Sequence, residues 1–167
     1  YRYQVTPQQA SKMIVSDQAW TEVQVTESEK ASNYLCLRCP QKNDLETPIE
    51  LGVNFSQPME FKQLELELTF NPQVLLFQDL KLTPPWANHP KIALESQCSN
   101  EKGWLLIRIA GRDKQTLSLS PFQTLLNATM IPDQVGMASI HVSQIRILSD
   151  DEKPIPVLSL PSLIEIK

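Results

Sequence analysis

Apolar and polar residues alternate without a break between positions 64 and 70. Leu64, Leu66, Leu68 and Phe70 fall on one side, and Glu65, Glu67 and Thr69 on the other. Side chains of an extended chain change face at every residue, so the stretch predicts a strand with one buried and one wet face. Asn71-Pro72 ends it, because proline fixes its own φ and offers no donor to a ladder. A second apolar run starts at Val74 and continues through Phe77, Leu80 and Leu82. Two strands about a fixed corner are the first expectation.

The strand signature recurs along the chain. Tyr34–Leu37, Ile49–Phe55 (with Ile49, Leu51, Val53 and Phe55 on one face), Phe61–Phe70, Val74–Leu82 and Ile92–Leu94 carry it in the first half. Trp104–Ala110, Gln123–Met130, Ala138–Ile147 and Ser162–Ile166 follow. Trp104–Ala110 is apolar except at Arg108, the mark of a central strand covered on both faces, with Trp104 in the core. Turn formers separate the runs at Asn43-Asp44, Ser56-Gln57-Pro58, Pro84-Pro85, Asn100–Gly103, Pro132-Asp133 and Asp150–Lys153. About nine short strands with no long helical pattern between them predict an all-β, antiparallel sandwich over residues 34–167. Residues 1–33 read differently, as an N-terminal arm or linker. Thr6-Pro7 offers a cap and a first helical residue, so one or two helical turns are expected through Val15. Thr21–Thr26 alternates at Val23 and Val25 like an edge strand, and Glu27–Asn33 is polar.

Composition narrows the class. With 167 residues the chain holds one domain with a sizeable core, and its 41% apolar and 20% charged residues are those of a globular protein. Thirteen prolines against four glycines favour short strands and stiff connections over phosphate-cradling loops. A net charge of −4 without a Lys/Arg cluster argues against nucleic acid. No apolar run approaches a membrane span, so membrane attachment would come only through a segment outside this chain. The chain begins at Tyr1, not methionine, which is compatible with a removed signal or anchor upstream.

Three stretches together resemble a known family. Leu68-Thr-Phe-Asn-Pro-Gln-Val-Leu-Leu-Phe77 is similar to the aromatic-Asp-Pro corner of cohesin domains, with the apolar run that follows it. Gly103-Trp-Leu-Leu-Ile-Arg-Ile-Ala110, then Phe122–Met130 leading to Gly136, resembles the family's central strand and the strand before its glycine turn. Leu148–Val157 with Ser162–Ile166 resembles the closing hairpin of envelope-associated members. The resemblance covers roughly the last four-fifths of the chain. It departs at Asn71, where the family usually has Asp, in the scarcity of glycine, and over residues 1–33. It implies a jelly-roll sandwich of the cohesin and carbohydrate-binding-module type, whose activity is protein binding. In the best-known members the partner is a calcium-loaded dockerin. This chain carries no dockerin-like calcium repeat of its own.

Little in the sequence points to catalysis. Cys36-Leu-Arg-Cys39 is the one motif with redox potential, yet no βαβ pattern carries it and Pro40 follows. A zinc site would need Cys98, His89 or His141 from distant segments, so no metal or cofactor is expected. The simpler expectation is a structural disulfide from one of the pair to Cys98, with Cys39–Cys98 favoured, in an oxidising compartment. His141 lies in an alternating strand and His89 in the Trp86–Pro90 loop, and neither has a local triad partner. Glu65 and Glu67 are about 7 Å apart on one strand face. Paired carboxylates can hydrolyse glycosides, but a solvated face explains them better. The resemblance to cohesins implies that their strand contributes to the family's binding face, which makes them candidate contacts to a basic partner. Trp86 follows Pro84-Pro85 and is expected to be exposed, a candidate for protein or sugar stacking. Asn54-Phe-Ser and Asn127-Ala-Thr fit the glycosylation pattern, but both asparagines fall within expected strands.

The sequence thus predicts a non-enzymatic protein–protein interaction module of a bacterial envelope or secretion assembly. Its place would be extracytoplasmic, in the periplasm or at the cell surface. Glu65, Glu67 and Trp86 are its candidate contacts. A carbohydrate-binding module and a structural spacer are the alternatives.

Overall fold

The computed structural model describes the strand backbones Ser11–Ser16 and Ala19–Gln24, and residues 33–167 except Lys114. Two compact units divide the chain, residues 1–32 and 33–167. In the first, β1 (Ser11–Ser16) and β2 (Ala19–Gln24) form an antiparallel hairpin with Ser11 opposite Gln24 and Ser16 opposite Ala19. The expected helix start at Thr6-Pro7 lies outside the described residues. Its continuation through Val15 is strand, in keeping with the β-branched pair Ile14-Val15.

The second unit is a sandwich of two mixed sheets. Its early strands are β3 (Asn33–Arg38), β4 (Lys42–Asn43), β5 (Ile49–Phe55), β6 (Met59–Phe61), β7 (Gln63–Phe70) and β8 (Leu75–Leu82). Then come β9 (Ile92–Ser99), β10 (Trp104–Gly111), β11 (Leu117–Leu119), β12 (Leu126–Pro132), β13 (Gly136–Leu148), β14 (Val157–Ser159) and β15 (Ser162–Ile166). One sheet runs β4-β15-β13-β7-β10-β9 and the other β14-β3-β5-β12-β8, while β6 and β11 pair separately. Most neighbours are antiparallel, as expected. Two pairs are parallel, β14 with β3 and β15 with β4, because short terminal segments are laid alongside edges that no hairpin reaches.

The corner after Phe70 does more than turn the chain. β7 belongs to the six-stranded sheet and β8 to the five-stranded one, so Asn71-Pro72 carries the chain across the core. The Asn71 side chain accepts from Gln73 N at 3.0 Å, and its carbonyl accepts from Val74 N and Leu75 N at 3.1 and 3.0 Å. This is the Asx-turn chemistry for which Asn is suited. Leu64, Leu66, Leu68 and Phe70 face the interior together with Leu105, Ile107 and Ile109 of β10. Leu35, Ile49, Leu51, Val53, Phe55, Leu126, Ala128 and Met130 meet them from the other sheet.

Gly103 holds the approach to β10. Its φ is 65°, and its carbonyl accepts from Phe70 N at 2.8 Å. A Cβ here would be driven into the Phe70 carbonyl and would lie 2.8 Å from Pro72 Cδ. Backbone and space both demand glycine. Gly103→Ala should therefore lower the unfolding free energy by more than ~2 kcal/mol in a denaturant titration. A change below about 0.5 kcal/mol, the size of an ordinary surface substitution, would show that this close approach does not exist.

Candidate functional site

Because β7 buries its apolar side, its polar side lies on the outer face of the six-stranded sheet, and the register assembles a grid there. Glu65 sits between Arg146 of β13 and Arg108 of β10, and Arg108 in turn lies opposite Glu95 of β9. The next row is Gln144, Glu67, Leu106 and Gln97, and the third is His141, Thr69, Trp104 and Ser99. Directly opposed side chains in an antiparallel pair have Cβ atoms about 5 Å apart. The first row is therefore a ladder of alternating charge, and the two below it mix apolar and hydrogen-bonding groups.

Local contacts pin the two glutamates. Arg108 Nε donates to Glu65 Oε2 at 2.7 Å, with 45% of the arginine and 23% of the glutamate side chain exposed. Ser143 Oγ donates to Glu67 Oε1 at 2.6 Å. Ser143 is available because the β13–β7 register slips between Val142 and Gln144, an extra residue that bulges β13 at this row. Both carboxylates are thus held on an open face by a donor from a neighbouring strand.

Trp86 is not on the surface. It is 6% exposed and packs in the core, which corrects the expectation of an exposed stacking residue. The Pro84–Pro90 loop coils tightly: Trp86 N and Ala87 N both donate to the Thr83 carbonyl, at 2.9 and 3.0 Å. The apolar indole then gains more from burial at the sandwich rim than from water. Trp104 is corrected in the opposite sense. It is half-exposed on the outer face with Leu106, because alternation within the apolar run sends Leu105, Ile107 and Ile109 inward instead. β10 is covered on one side only.

The histidines stay apart, His141 exposed in the grid and His89 half-buried in its loop. Among the described residues no group of three or more His, Cys, Asp or Glu is placed to hold a metal ion. Asn54 is 5% exposed, so the folded domain does not offer that sequon to a glycosyltransferase.

Comparison with known proteins bears on the fold. No protein-family model and no curated protein matches the sequence. Solved structures do match. A non-cellulosomal cohesin from the archaeon Archaeoglobus fulgidus superposes with a TM-score of 0.66 at 14% identity, over 82% of this chain and 92% of that one. A cohesin module from a family 33 glycoside hydrolase of Clostridium perfringens gives 0.66 at 9% identity, over 81% and 97%. The Coh-OlpC-Doc435 complex of Clostridium thermocellum, a type I cohesin–dockerin complex, gives 0.66 at 11% identity, over 85% and 99%. The fold is cohesin-like.

In this cohesin-like domain Cys39 and Cys98 are both free thiols, and the expected Cys39–Cys98 disulfide is not formed. Cys39 follows β3 and is half-buried against the core, where burial pushes its thiol pKa up and a hydrogen bond with Ser162 partly offsets this. Cys98 is exposed on β9, the far edge of the other sheet. A raised pKa leaves less thiolate, the reactive form, at neutral pH. Iodoacetamide on the native, unreduced protein should modify Cys98 first and Cys39 more slowly, with Cys39 accelerating as pH rises. Labelling of this pair only after reduction would restore the disulfide.

Proposed function

We propose that this cohesin-like domain is a non-enzymatic docking module that takes another protein on the outer face of β13, β7, β10 and β9. The observation that carries the reading is the grid itself: Trp104 and Leu106, half-exposed, lie beside a charge ladder fixed by strand register. Aromatic and arginine side chains supply most of the binding energy in protein interfaces, and flanking polar groups set orientation. The Arg108–Glu65 pair is half in water and adds at most about 1 kcal/mol to folding. Its value lies in presenting ordered charge to a partner. Solved cohesins similar to this chain occur in complexes with dockerins, as in the type I Coh-OlpA-Doc918 complex of Clostridium thermocellum. A protein partner of comparable kind, in an extracytoplasmic envelope or secretion assembly of a bacterium, is the setting we assign to it.

The test uses the domain as bait for purified dockerin modules and for envelope extract, alongside a glycan array. Trp104→Ala and Arg108→Ala should each weaken capture of the same partner, the tryptophan change by roughly thirtyfold, the scale of an interface hot spot. The unfolding midpoint of Arg108→Ala should stay near that of the parent. Partner binding unaffected by both substitutions would move the site off this face. Glycan binding lost with Trp104→Ala would replace the protein partner with a carbohydrate.

A further inference from the structure

The two large sheets end in four edges, β4 and β9 on one and β14 and β8 on the other. An edge strand presents unpaired backbone donors and acceptors to any other strand, and proteins blunt such edges by brevity, charge, bulges or cover. Three of these edges are blunted. β4 has two residues, one of them Lys42, and β14 has three. β8 is long but carries the Asp79–Lys81 ion pair at 2.7 Å, and its register with β12 breaks between Thr129 and Met130. The Asn100 side chain also caps β8 as a strand would: Phe77 N donates to Asn100 Oδ1 at 2.7 Å, and Asn100 Nδ2 donates to Phe77 O at 3.0 Å.

Among the described residues β9 is neither short, bulged nor covered by another strand, and its one charge is Glu95. It runs eight residues, Ile-Ala-Leu-Glu-Ser-Gln-Cys-Ser, with no Lys, Arg or Pro. Its register with β10 is unbroken from Ile92 to Ser99, and Glu95, Ser96, Gln97 and Cys98 are exposed. Among the described residues β10 is its only strand partner.

We propose that β9 is a self-pairing edge, which joins β9 of a second copy of this chain antiparallel about a two-fold axis at Ser96. The sequence around Ser96 is self-complementary in chemistry. Leu94 falls opposite Cys98 of the second copy, both weakly polar or apolar, and Glu95 falls opposite Gln97, a carboxylate facing an amide donor. The two-fold repeats both pairings in reverse, as an isologous interface requires. The two neighbouring axes are poorer. An axis at Glu95 sets that carboxylate against its own copy, and like charges directly opposite destabilise a pair. An axis at Gln97 runs off the strand and sets Leu94 against Asn100, whose side chain is already committed to Phe77. The pairing would extend the outer face of each sheet into that of its neighbour, giving a bivalent surface whatever partner that face takes.

Sedimentation equilibrium on the full chain, with Ser96→Lys and Ser96→Cys, tests this. The parent should show a monomer–dimer equilibrium. Ser96→Lys, which sets two ammonium groups against each other at the axis, should raise the dissociation constant roughly fivefold. Its unfolding midpoint should match that of the parent, since Ser96 is exposed. In a background with Cys36, Cys39 and Cys98 replaced by serine, Ser96→Cys should oxidise to a covalent dimer, because residues at the axis meet at cross-strand distance. Glu60→Cys on β6 should not. A chain monomeric at every accessible concentration overturns the proposal. So does a dimer that ignores Ser96→Lys and is not trapped by Ser96→Cys, and so does capture of an extended peptide by β9 without self-association.

Discussion

Leu64, Leu66, Leu68 and Phe70 are almost wholly withdrawn from water on one side of β7, and that burial leaves Glu65, Glu67 and Thr69 no place but the other. A slip of one residue would expose four large apolar groups and bury two carboxylates. Each apolar group loses about 1.5–3 kcal/mol on exposure, and an unpaired buried carboxylate costs more. The phase of β7 is therefore fixed by energies several times larger than any surface contact. β13 and β10 pair with its two edges and inherit that phase. The core and the outer grid are two sides of one constraint.

The grid follows from the core but does not hold it together. The Glu65–Arg108 pair and the Ser143–Glu67 hydrogen bond lie at a solvated surface, where such contacts contribute little to stability. They fix the directions in which charge is presented. Because these contacts contribute little to folding, stability constrains the composition of this face only weakly. Trp104 and Leu106 give it apolar area without disturbing Leu105 and Ile107 beneath.

Strict alternation made β5 and β7 legible in the sequence, since period two has no other common cause. The Asn71-Pro72 corner was legible as well, though its role in changing sheets was not, because a turn residue shows where the chain bends and not which sheet receives it. Of β9 the apolar pattern shows only Ile92–Leu94, for its continuation, Glu95 to Ser99, has the polar composition of an exposed edge and mimics a loop. The small β6–β11 pair and the parallel β14 have too few residues to show a period. For Trp86 and Trp104 the local pattern points to the wrong side for one reason. Prolines around Trp86 suggest exposure, and the apolar run around Trp104 suggests core. Burial depends on what packs opposite, which a local pattern does not contain. Alternation alone puts the two glutamates on the wet face, while the register, and the bulge, bring Arg108, Arg146 and Ser143 beside them.

The central claim is that β7 divides the domain into a sealed side and a presented side. Single cysteines placed in turn at Leu64, Glu65, Leu66, Glu67, Leu68 and Thr69, in a cysteine-free background, test it through their rates of modification in the native state. The account predicts a sawtooth, fast at 65, 67 and 69 and slow at 64, 66 and 68. Uniform rates, or a sawtooth of the opposite phase, would contradict it.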